Sequence, residues 1–167
     1  MESLVPVIVG GIIGLAGGIV GPPLAHWLNE ESSNRKKRAE KLEEMLSCIY
    51  AHDHWLSVVQ SIRVFGAQDT QEPAPLPKAK AIAAIYFPQF ISSLSELDAV
   101  GSHYELWMFK AAKKRLSGNI NGIGEGQIEA RRPYRQKREE VLDNLRMFAA
   151  SEFSTSLVPW KRFKKAG

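Results

Sequence analysis

The densest group of ionisable side chains is His52-Asp53-His54, followed at once by Trp55. Imidazoles beside a carboxylate are what a metal centre or a general acid-base pair requires. The spacing argues against a metal. Helix positions advance about 100° per residue, so His52 and His54 lie about 200° apart and cannot reach one ion from the same face; helical ligand pairs stand three or four residues apart. A zinc site would have to recruit His103 and a carboxylate from another helix, and four-coordinate sites show more ligands than that. The expectation is that His52 lies on a buried stripe with its nitrogens hydrogen-bonded, that His54 is exposed, and that neither metal nor other cofactor is bound.

Nucleophilic catalysis has as little support. Cys48, the one cysteine, sits between Ser47 and Ile49 inside an amphipathic run, where a lone helical cysteine is a small buried hydrophobe. It excludes an intrachain disulfide and agrees with a reducing compartment. Helical ribonucleases of bacterial immunity carry an Arg and, after four to six residues, a His; none of His26, His52, His54 or His103 has an Arg at that spacing. Residues 117–126 hold four glycines and two asparagines, but there is no G-K-[ST] ending and no preceding strand, so they read as a hinge or long turn and not as a phosphate cradle. No catalytic residue is assigned, and the chain reads as a non-enzyme.

Cations are the better pointer to a partner. They gather at Arg35, Lys36, Lys37 and Arg38, at Lys110, Lys113, Lys114 and Arg115, at Arg131, Arg132, Arg135, Lys137 and Arg138, and in the tail Trp160-Lys161-Arg162-Phe163-Lys164-Lys165. The formal net charge is +4. Excess positive charge favours anionic headgroups, at about 1 kcal/mol for each Lys or Arg near the surface. The tail suits this best, because its aromatics can enter the interface while its cations meet phosphates. Nucleic acid is the less favoured anionic partner.

These residues must be held by helices. Leu42, Met45, Ile49, His52, Leu56 and Val59 are spaced 3, 4, 3, 4, 3, which predicts a helix over 34–65 with one buried stripe, stopped by Gly66. Residues 66–77 are polar and proline-rich and form a connection. A second amphipathic stretch carries Ile82, Ile85, Phe87, Phe90, Ile91, Leu94, Leu97, Val100, Tyr104, Trp107 and Met108, runs to about Leu116, and should break or restart at Pro88. A last helix over 131–153 buries Val141, Leu142, Leu145, Phe148 and Ala149, leaves Met147 outside, and has Pro133 in its first turn.

The N-terminus supplies the broader setting. Residues 3–29 are 27 positions without Asp, Glu, Lys or Arg. The apolar part, Leu4 to Ala25, would rise about 33 Å as a helix, close to the roughly 30 Å hydrocarbon thickness of a bilayer. The four cations at 35–38 follow this span and none precedes it, which places the short N-terminus outside and the rest in the cytoplasm, at the inner membrane. On the helical wheel Gly10, Gly11, Gly14, Gly17, Gly18 and Gly21 share an arc of about 120°, with Gly10, Gly14 and Gly18 making two overlapping G-x-x-x-G steps. Such a face invites a second helix, so Gly10, Gly14, Gly17, Gly18 and Gly21 are assigned to self-association. Pro22-Pro23 should kink or end the helix near Gly21.

The fold expected is therefore all-α: a single N-terminal transmembrane helix (1–29), a cytoplasmic bundle of three or four antiparallel helices (30–153, with loops at 66–77 and 117–126), and a basic aromatic tail (154–167). Function follows as a homo-oligomeric single-pass protein whose bundle senses or gates, with pore formation or bilayer perturbation as its output. A membrane-anchored adaptor for a cytoplasmic protein is the alternative, and a tethered hydrolase with an unrecognised site is the least favoured.

Overall fold

The structure is a computed structural model that describes the backbone of residues 4–68 and 72–153 and the side chains of residues 26, 27, 29–68 and 72–153. The described residues are all-helical. Four α-helices follow in order: α1 (Leu4–Gln60), α2 (Leu76–Tyr86), α3 (Ile91–Leu116) and α4 (Gln127–Phe153). A π-helical turn, Ser61–Phe65, finishes α1, and short 3-10 turns lie at Pro88–Phe90 and Ile120–Gly122.

The chain divides into two compact units, Met1–Glu40 and Lys41–Gly167. In the first, the backbone is α1 from Leu4 onward, and helix continues through Pro22 and Pro23, where a kink or an end was expected near Gly21. Proline's fixed φ of about −65° is compatible with helix, and the missing amides remove two bonds without forcing an end. His26, Trp27 and 29–37 are exposed. Among the described residues no helix is long and apolar enough to cross a membrane. The apolar span expected over Leu4 to Ala25, with the side chains of its glycine face, lies outside the described side chains.

The second unit is an up-down-up-down bundle. Lys78 pairs with Glu44 at 2.8 Å and the Trp55 indole donates to the Glu72 carbonyl at 2.7 Å, so α2 runs back along α1. Tyr104 reaches Gln60 and Arg63 reaches Glu105, with His52 lower down against Gly101, so α3 runs parallel to α1. Lys137 meets Glu96 and Phe148 meets Phe90, so α4 is antiparallel to α3. This alternation lets short connections join neighbouring helices.

The expected stripe on α1 is the core: Leu42, Met45, Ile49, His52, Leu56 and Val59 are all buried. Phe87, Phe90, Leu94, Leu97, Tyr104 and Met108 pack on it from α2, the Pro88 turn and α3, and Val141, Leu142 and Leu145 from α4. Each fully buried Leu or Ile contributes about 1.5–3 kcal/mol. Pro88 does restart the helix, as a 3-10 turn between α2 and α3.

Three details differ from the sequence reading. Ile85 is 73% exposed, because α2 turns Leu76, Ala79, Ile82 and Ala83 inward instead. The connection after α1 ends two residues early, since Leu76 and Pro77 already belong to α2, where a proline in the first turn loses nothing. Helix α4 starts at Gln127, immediately after Gly126 in the left-handed region at φ +73°, so Pro133 lies inside the helix. Its missing amide leaves the Glu129 carbonyl without the usual intrahelical donor. Residues 117–126 form a long turn tied to α3: Trp107 Nε1 donates to the Glu125 carbonyl at 2.8 Å, and Lys114 Nζ donates to the Gly122 carbonyl at 3.0 Å and pairs with Glu125 at 2.5 Å.

The π turn has a local cause. Gly66 takes φ +75°, and its amide reaches Ile62 O at 3.1 Å while the Ala67 amide reaches Ser61 O at 3.0 Å. The wide last turn closes on a residue that costs little in the left-handed region.

Candidate functional site

The bundle interior holds a polar layer where α1, α3 and α4 meet, centred on His52 and Asp53. His52 is 4% exposed, stacked on Trp55 with ring centres 5.3 Å apart, and approached edge-on by Tyr134 at 5.8 Å. Burial pushes its imidazole down to about 4, outweighing the opposing pull of Asp98 and Asp53. His52 is thus neutral at pH 7 and lies on the core stripe, as expected. It is not fully hydrogen-bonded: Nδ1 is buried without a partner. His54, on the other side of α1, is exposed.

Asp53 turns toward α4 and is held there by two guanidiniums. Arg138 pairs with its Oδ2, and Arg131 Nη2 lies 3.4 Å from its Oδ1. Arg131 also donates to Ser57 Oγ at 3.2 Å and sits over the Tyr104 ring at 5.7 Å. Tyr104 in turn donates to Gln60 Oε1 at 2.7 Å and stacks on Trp107 at 5.7 Å. Three orphans remain in or beside this layer: His52 Nδ1, Arg131 Nε and the Tyr134 hydroxyl. Tyr134 is fully buried, and burial pushes its phenol up. It was missed in the sequence, although it stands seven residues before Val141 on the stripe that Val141, Leu142 and Leu145 define.

The cations divide sharply once the helices are in place. Lys114 is paired with Glu125, Lys137 with Glu96 and Glu140, and Arg138 with Asp53 and Glu139. Arg115 donates weakly to the Arg63 carbonyl at 3.5 Å, and Arg63 lies 4.5 Å over the Phe109 ring. Arg132 and Arg135 are exposed and make no hydrogen bond or ion pair among the described residues. With Arg131, Gln127 and Ile128 they line a recess of about 310 Å³ at the start of α4. A second recess, of about 270 Å³, lies between His54, Trp55, Val58 and the Glu72, Pro73 and Pro75 segment.

Of the other residues assigned from sequence, Arg35, Lys36 and Lys37 are exposed and Arg38 is half-buried. Gly10, Gly14, Gly17, Gly18 and Gly21 lie in helical backbone. Trp160, Lys161, Arg162, Phe163, Lys164 and Lys165 fall outside the described residues. Cys48 is buried, and burial pushes its thiol up. Among the described residues no three His, Cys, Asp or Glu side chains are grouped to hold a metal.

No protein-family model, curated protein or solved structure matches this chain. What the bundle does is therefore argued from geometry. Its interior polar layer is arranged to brace Asp53 and Arg131, with Ser57 Oγ donating to the Asp53 carbonyl at 3.1 Å. Its accessible charged chemistry is the recess at the start of α4, which can receive an anion.

Proposed function

We propose that this chain is a single-pass inner-membrane protein that self-associates through the glycine face at 10–21 and carries a cytoplasmic helical bundle as its sensing or gating element. Membrane perturbation or a pore is the output that this architecture would serve. The observation that carries the proposal is the charge-free run over 3–29, with its glycines on one arc, closed by Arg35-Lys36-Lys37-Arg38. Lipid gains nothing from bare backbone, whereas a second copy can approach it closely. Within the bundle, the stripe Leu42 to Val59 of α1 organises the core.

The role is one of binding and not of catalysis. Cys48 is buried with a suppressed thiolate, and the imidazole nearest the polar layer is buried and held neutral, so neither has the exposure and poise of a nucleophile or base.

A second reading, an adaptor for a cytoplasmic protein, is favoured by one observation. At the end of the bundle far from Lys41, Phe65, Phe109, Leu116 and Ile120 are between 56% and 80% exposed, and Lys110 and Lys113 are exposed on the same stretch of α3. Large exposed apolar side chains rimmed by charge suit a protein partner.

The test uses the full-length chain. It should require detergent for extraction, and a topology reporter fused after Gly167 should report cytoplasm. In mild detergent, Gly14→Ile with Gly18→Ile should lower the assembly mass measured by light scattering. Unchanged mass would remove the association, and a chain recovered in the aqueous fraction without detergent would remove the anchor.

A further inference from the structure

We propose that the recess at the start of α4 binds a small phosphate-bearing ligand through Arg131, Arg132 and Arg135. The proposal rests on the sensing role above in naming what the bundle would sense, and its geometry stands without the anchor. Three guanidiniums at positions i, i+1 and i+4 line one concave surface. Like charges this close on a helix repel, and within the fold Asp53 relieves only Arg131. Within 127–135 the one carboxylate is Glu129, which does not line the recess.

Lys114, Lys137 and Arg138 each have a carboxylate within the fold, whereas Arg132 and Arg135 have none among the described residues. The exposed Lys110 and Lys113 also lack an ion pair among the described residues, but neither lines this recess. Arg131 is the fixed member. It is tied at Nη2 to Asp53 and Ser57 and lies over Tyr104, so its fork is oriented before a ligand arrives, while its buried Nε has no acceptor.

The chemistry selects the class. Guanidinium forks donate pairs of parallel hydrogen bonds, and a phosphate offers several oxygens to more than one fork at once. A chloride or a single carboxylate cannot give paired bonds to the forks of both Arg132 and Arg135 while also meeting Arg131. Ile128, 69% exposed, supplies an apolar wall beside the guanidiniums, so the ligand is an organic phosphate. A volume of about 310 Å³ is that of a small-molecule site at the low end of the usual range. The phosphate could come from a soluble ester or from a lipid headgroup.

Full-length protein in a neutral, non-ionic detergent is titrated calorimetrically at fixed salt with sodium pyrophosphate and, separately, with a water-soluble short-chain phosphatidylglycerol. Arg132→Gln with Arg135→Gln should weaken binding of the engaged probe about tenfold or more. Lys110→Gln with Lys113→Gln, which removes the same charge elsewhere, should change it less than about twofold. Both variants change exposed side chains, and circular dichroism checks that helix content is retained. Binding of pyrophosphate assigns a soluble ligand, and binding of the lipid probe alone assigns a headgroup; either supports the site. Equal losses in the two double variants, or no binding of either probe at about 10 mM, would overturn it. Loss of the assembly mass with binding retained would instead strike only at the anchor and its glycine face.

Discussion

Acid should weaken the bundle through His52, and over a pH range in which little else contributes. The imidazole is buried against Trp55 and Tyr134 with an unpartnered Nδ1. Desolvation lowers its folded pKa from 6.5 to about 4. The unfolded chain therefore takes up a proton near pH 6.5 that the folded chain refuses until about pH 4. Stability is full above pH 6.5 and falls as pH drops through that window. One pKa unit corresponds to about 1.4 kcal/mol, so the whole shift is worth about 3 kcal/mol, of which about 2 kcal/mol should be lost between pH 7 and pH 5. The carboxylates with lowered pKa act later. Glu44, held down to about 2 by its hydrogen bonds from Lys41 and Lys78, and Glu96 and Glu125, lowered by Lys137 and Lys114, begin to lose their contributions as pH approaches the ordinary carboxylate value of 4.5 and lose the rest below it. Urea unfolding at a series of pH values, followed by circular dichroism and extrapolated to water, measures the slope. His52→Phe keeps the ring contacts with Trp55 and Tyr134 and removes the titration, so its stability should be flat from pH 7 to pH 5. Equal slopes in the wild type and His52→Phe would refute the reasoning.

Two further substitutions probe the same fold. Tyr134→Phe removes a buried hydroxyl that has no partner, so stability should hold or rise by up to about 1 kcal/mol; urea unfolding that shows a loss of more than about 1 kcal/mol would reveal a hydrogen bond at that hydroxyl. Gly66→Ala places a Cβ 2.1 Å from Arg115 Nη1 at a backbone φ of +75°, so it must displace the guanidinium and adopt a left-handed conformation that costs an L-residue about 1–2 kcal/mol. A melt unchanged from wild type would show that the α1 terminus does not depend on that conformation.

The parts of the fold written in period were legible. The stripe from Leu42 to Val59 was readable because large apolar residues recur at 3 and 4, and the Pro88 restart because proline removes an amide. Where small or charged residues carry the packing, the pattern fades. Helix α2 buries Ala79 and Ala83, whose small side chains give no contrast with exposed Ile85. Tyr134 is hidden among Arg131, Arg132, Arg135, Lys137 and Arg138, a stretch that reads as solvated although Arg131 and Arg138 both reach Asp53. The division of those arginines into two that brace the interior and two that face out depends on a carboxylate 78 residues away in sequence, in the Arg131 case. No local spacing reveals that. The tripeptide His52-Asp53-His54 looked like chemistry because charge and imidazole are adjacent; the helix sends its members to different surroundings.

One indole helps hold each long connection of the bundle to a helix. Trp55 Nε1 holds the Glu72 carbonyl, and Trp107 Nε1 holds the Glu125 carbonyl. Those indoles sit in different surroundings: Trp55 is stacked on His52 in the interior, whereas Trp107 lies on Tyr104 beneath Arg131. The chain thus carries two built-in optical gauges, one per connection. If each were left in turn as the sole one of the chain's four tryptophans, loosening of the Pro-rich strap and loosening of the glycine-rich turn would register as separate spectral shifts, without a label attached to either.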